Sequence, residues 1–61
     1  MTEKQWQQVE TQLPQGARIT KTYNAFENGE LRIIVQIPGE RFETRYIAHF
    51  DGDDVRLEHR P

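Results

Sequence analysis

Three carboxylates crowd one short stretch, Asp51-Gly52-Asp53-Asp54, and the chain's two imidazoles, His49 and His59, flank it. These residue types could ligate a cation. An EF-hand loop starting at Asp51 would need glycine at its sixth place, and that place holds Arg56. Strand alternation sends His49 and His59 to opposite faces, so one metal could not take both. Neither cysteine nor serine occurs, which removes thiolate sites, disulfides and the commonest acyl-transfer nucleophile. The glycines at 16, 29, 39 and 52 lie too far apart to cradle a phosphate. No nucleophile, base and orienting group come together in the pattern. The expectation is a noncatalytic chain with no metal, no cofactor and no small-molecule substrate.

The arginines form the other chemical signal. Arg18, Arg32, Arg41, Arg45, Arg56 and Arg60 all fall on one predicted face, against Glu30, Glu43, Asp54 and Glu58. Such a surface could meet phosphates, with Phe26 stacking on a base. It could equally be a cross-strand charge ladder, Arg45 opposite Glu58 and Glu43 opposite Arg60. On the same face Phe26, Ile34 and Ile47 make a small apolar spot, suited to the centre of a protein contact.

Sixty-one residues allow one small domain to position these groups. Ten acids against eight bases give a formal charge of −2, which disfavours bulk attraction to nucleic acid or anionic lipid. The longest apolar run, Ile33-Ile34-Val35, is far too short to span a membrane.

Thr2 and Gln5 form a capping-box pair, and Trp6, Val9 and Leu13 follow on one helical stripe. Gln7, Gln8, Glu10 and Gln12 are assigned to the wet side, and Pro14 ends the helix. From Ala17 the period becomes two, over four strands joined by short turns. A type I turn over Glu27-Asn28 with a Gly29 bulge would pair Phe26 with Glu30, Ala25 with Leu31 and Tyr23 with Ile33. Pro38-Gly39 favours a type II turn in a longer loop that pairs Val35 with Thr44, although the tighter alternative, Val35 with Phe42, keeps the same faces. A type I′ turn at Asp51-Gly52 would pair Ala48 with Val55 and Tyr46 with Leu57. In this frame every apolar residue except Met1, Phe26, Ile34 and Ile47 points to one side, interrupted by Lys21.

The expected fold is α+β: one N-terminal helix, anchored by Trp6, packed on a four-stranded antiparallel β-meander (αββββ), with 1–61 as a single domain. Three apolar helix residues are few for the apolar sheet face beneath them. That face must either curl round the helix or meet another molecule. The expected function is a small noncatalytic protein-interaction module, regulatory or inhibitory, cytoplasmic, binding a protein partner or itself as a homodimer through Phe26, Ile34 and Ile47. The alternative is a nucleic-acid-binding domain using Arg18, Arg32, Arg41, Arg45 and Arg56 on its sheet face.

Overall fold

A helix of ten residues needs its first N–H groups satisfied, and Thr2 and Gln5 do this reciprocally. The Thr2 hydroxyl accepts from the Gln5 N–H at 3.1 Å, and the Gln5 side chain accepts from the Thr2 N–H at 2.9 Å. In the computed structural model, which describes residues 1–25 and 29–60, this box opens α1 (Glu3–Gln12). Four strands follow: β1 (Arg18–Asn24), β2 (Leu31–Gln36), β3 (Thr44–Asp51) and β4 (Asp54–Arg60). They form one antiparallel sheet in spatial order β1-β2-β3-β4, the expected αββββ meander. Leu13 turns extended ahead of Pro14. The chain leaves the helix through Gly16, at φ +80°, where a Cβ would stand 3.0 Å from Pro38 Cγ in the β2–β3 loop. Both the backbone angle and the close approach demand glycine there.

Val9 is the helix residue at the centre of the core, fully buried with Ile33, Val35, Ala48 and Val55. Trp6 and Leu13 are half-buried on either side of it. Trp6 is therefore a flank of the lid, and Val9 is its anchor.

Gln8 and Gln12, which alternation assigned to water, instead cover the outer edge of β4. Gln8 accepts from the Val55 N–H at 2.8 Å and donates to Asp54 Oδ1 at 3.0 Å. Gln12 donates to the Val55 carbonyl at 2.7 Å and accepts from the Leu57 N–H at 2.8 Å. Two side-chain amides thus stand in for a neighbouring strand. Periodicity alone could not reveal this, because glutamine facing a strand edge looks like glutamine facing solvent.

Two hairpins close differently from expectation. At the first, the Ala25 N–H donates to the Glu30 carbonyl at 2.7 Å and the Gly29 N–H to the Ala25 carbonyl at 2.9 Å. This closure sets Tyr23 opposite Arg32 and Thr22 opposite Ile33. Further along, the register shifts by one at Thr20, so that Ile19 still faces Val35 on the core side. The bulge lifts Lys21 and Tyr23 out of the inner row and turns Thr22 and Asn24, both exposed, to the core side in their place. The Glu27-Asn28 turn and Phe26 lie outside the described residues.

At the last hairpin the two-residue turn is Gly52-Asp53, with Asp51 opposite Asp54. Only Gly52, at φ +62°, has a positive angle there, whereas type I′ needs two such residues; this is the type II′ pattern. The two-step shift preserves the faces and changes the partners: Phe50 faces Val55, Ala48 faces Leu57 and Arg45 faces Arg60. The middle hairpin pairs Val35 with Thr44 as expected, and the Ile37 carbonyl accepts from the Glu40 N–H across Pro38-Gly39.

Removing the Val9 side chain to alanine should cost about 2–3 kcal/mol by urea denaturation, since a fully buried branched group leaves a cavity. Gln12→Ala should cost about 1 kcal/mol. In that variant the Leu57 amide should exchange faster with solvent while the Val55 amide, held by Gln8, keeps its rate. Equal acceleration of both would show that the two glutamines do not act as separate edge ligands.

Candidate functional site

Alternation in β2 points Leu31, Ile33 and Val35 at the helix and therefore Arg32, Ile34 and Gln36 away from it. Cross-strand partners share a face, so the outer surface can be read as rows. One row runs Lys21, Ile34, Arg45, Arg60; the next runs Tyr23, Arg32, Ile47, Glu58. Over the first lies an open groove of about 570 Å³, lined by Lys21, Tyr23, Ile34, Glu43 and Arg45.

The bulge builds one wall of this groove. The Thr20 hydroxyl donates to Glu43 Oε2 at 2.5 Å, tying the start of β3 to the far edge strand. Lys21 Nζ sits 5.6 Å from the Tyr23 ring centre, as a cation over an aromatic face. Ile34 and Ile47 point outward as expected, yet they are only 9% and 2% exposed. In register, Ile34 is flanked by Lys21 and Arg45, and Ile47 by Arg32 and Glu58. Long charged side chains cover such residues with their methylene stems. The two isoleucines are therefore the floor of the face rather than an exposed spot.

Phe42, one residue before Glu43, is 77% exposed, with the Arg41 guanidinium 5.8 Å from its ring centre. The sequence pattern placed Phe42 inward on a strand. The type II turn at Pro38-Gly39 instead ends β2 early and delays β3 to Thr44, leaving Phe42 in the loop. Proline followed by glycine was the signal available for it. Lys21 and Tyr23 are the residues of this face that alternation missed; Phe42, which alternation turned inward, is an exposed loop residue.

The arginines do not form one stripe. Arg32 is drawn toward Glu30, with Nη2 3.5 Å from Oε1, and its side chain is only 16% exposed. Arg41 belongs to the loop, and Arg18 stands opposite Gln36 at the far end of β1. Arg56 lies opposite His49. Arg45 faces Arg60 in register, and like charges directly opposite are destabilising. Arg60 lies 3.8 Å from Glu58; Arg45 has no ion-pair partner among the described residues.

His49 Nε2 lies 2.7 Å from Glu58 Oε1 on the outer face, while His59 sits beside Tyr46 on the core-side rim, with ring centres 5.6 Å apart. The opposed histidines follow the alternation. Among the described residues no cluster of three or more His, Asp or Glu could hold a metal ion. No described helix is long and apolar enough to cross a membrane.

The Glu58 carboxyl is held below its ordinary pKa, chiefly by the His49 hydrogen bond; desolvation opposes this, and the charges of His49, Arg60 and Arg56 add to it. A carboxyl with a lowered folded-state pKa stabilises the fold above its unfolded pKa, and that contribution is lost as pH falls through the lowered value. In His49→Ala the Glu58 carboxyl should titrate at higher pH, by carbon-detected NMR, toward the ordinary glutamate value. An unmoved titration would show that the arginines alone set it. Comparison with protein-family models, curated proteins and solved structures finds no match to this chain, so the reading of this face rests on its own geometry.

Proposed function

We propose that the chain is a noncatalytic protein-interaction module whose outer sheet face binds an acidic protein partner. The supporting observation is the row Lys21, Ile34, Arg45, Arg60: three cations in register over an apolar floor, with Arg45 and Arg60 side by side. An incoming carboxylate would relieve that repulsion, and Tyr23 on the groove wall is a residue type that concentrates binding energy at interfaces. Phe26 joins this site only as a sequence-based candidate.

Nucleic acid is the second reading of the same face. Arg45, Arg56 and Arg18 could meet phosphates, and Tyr23 could stack on a base. The arginines do not line up into a stripe that could follow a phosphate backbone, which weighs against it.

The test is affinity capture from the native host, followed by titration of the purified partner. The double variant Lys21→Glu/Arg45→Glu should bind that partner at least tenfold more weakly than the native chain, a loss of about 1.4 kcal/mol. Asp53→Lys, in the opposite hairpin tip, should bind as the native chain does. Retention of a labelled single-stranded oligonucleotide that falls steeply with salt would transfer the face to the second reading. A solution mass of twice 7.3 kDa at micromolar concentration would make the partner a second copy.

A further inference from the structure

The two edges of the sheet are treated differently. Gln8 and Gln12 satisfy the outward backbone groups of Val55 and Leu57 on β4. On the opposite side, β1 packs against β2 and no other described element flanks it. An uncovered edge strand carries unpaired N–H and C=O groups that can pair with another chain.

The phase of the ladder says which groups these are. The bond from the Ala25 N–H to the Glu30 carbonyl marks that pair as a hydrogen-bonded one. In an antiparallel ladder such pairs alternate, so Tyr23–Arg32 and Lys21–Ile34 also bond across, while Thr22 and Asn24 turn their backbone groups outward. Carried across the sheet, the same phase turns Val55 and Leu57 outward on β4, which is where the glutamines bind. The bulge at Thr20 limits the regular free edge to Lys21–Asn24, about 13 Å long.

Charge identifies the occupant. β1 carries Arg18 and Lys21 and no carboxylate. A strand paired to Thr22 and Asn24 would set its outward side chains beside Lys21 and Tyr23, at the end of the cationic row. A second copy fits poorly, because it would bring together two β1 strands that each carry Arg18 and Lys21 and no carboxylate.

Building on the outer-face reading, we propose that the partner binds as an extended acidic segment, added antiparallel to β1 as a fifth strand through the Thr22 and Asn24 backbone, with a carboxylate beside Lys21. Edge addition of this kind takes affinity from main-chain bonds and specificity from alternate side chains.

The probe is a synthetic nine-residue peptide of alternating glutamate and valine, titrated into the full chain by fluorescence anisotropy and amide hydrogen exchange. Binding should slow exchange at Thr22 and Asn24 at least tenfold and leave Val55 and Leu57 unchanged. Thr22→Pro deletes one outward N–H and no ladder bond, a position where an edge strand accepts proline; it should weaken the peptide at least tenfold. Lys21→Glu should do the same, and a lysine-for-glutamate peptide should not bind. Peptide binding without protection of Thr22 and Asn24 would overturn strand addition and leave the outer-face reading standing, and this readout on the native chain decides even if Thr22→Pro does not fold. Absence of any binding by the acidic peptide would overturn the strand proposal, while the outer-face reading would still be judged by Lys21→Glu/Arg45→Glu against the captured partner. Thr22 and Asn24 protection that rises with protein concentration alone would make the occupant a second copy and overturn the proposal.

Discussion

One extra residue in β1 sets the character of the whole outer face. Ile19 must face Val35 for the core to close, and Tyr23 and Lys21 cannot stay in the same frame without carrying an ammonium inward. Thr20 absorbs the difference. Its hydroxyl then holds Glu43, which fixes the start of β3 across the groove, and it lies 3.3 Å from the Ile34 carbonyl oxygen at the groove floor. The same bulge therefore completes the core on one side and assembles the groove on the other. It also shortens the regular free edge, a common means by which a sheet restricts indiscriminate pairing.

The division of labour between edges follows from the helix. An amphipathic helix on so small a sheet lies over only part of it, and α1 sits against β4. There its apolar stripe seals Val9 over Ile33 and Val35, and its polar flank reaches the strand edge through Gln8 and Gln12. A chain without disulfides cannot leave both ends of its sheet unprotected at no cost. The helix resolves this on one side only, so the distance from α1 to β1 is what leaves the opposite edge available. The mismatch between three apolar helix residues and the apolar sheet face is met partly by Tyr23 and Phe42 lying outside the core and Phe50 staying half-exposed at the rim.

Much of this is legible in the sequence itself. The capping box, the helix stop at Pro14, the αββββ order and the type II turn at Pro38-Gly39 follow from local chemistry that tertiary contacts did not override. What failed was frame. Parity arguments detect a one-residue slip only when the strand is continuous, and the bulge at Thr20 cancels one slip with another, leaving Ile19 where parity wanted it and moving Tyr23. At Asp51-Gly52-Asp53-Asp54 the slip was two residues, which parity cannot see at all, so the faces were right and the charge partners wrong. Ile34 and Ile47 were placed on the correct face, but alternation does not report what long neighbours lie over.

The charge pattern that emerges is not a ladder that neutralises itself. Glu58 engages His49 and Arg60, Glu43 engages Thr20, and Arg32 lies against Glu30. Lys21 and Arg45 therefore have no acidic neighbour in their own row, although Glu43, held by the Thr20 hydroxyl, keeps its charge on the groove wall. Meanwhile Asp51, Asp53 and Asp54 gather at the β3–β4 hairpin tip, beyond the groove-lining set. A modest net charge of −2 thus conceals a polarised molecule. Polarisation of this kind steers and orients an anionic partner more than it adds to affinity. On the proposed reading, the contact that holds it would come from the exposed ring of Tyr23 on the groove wall.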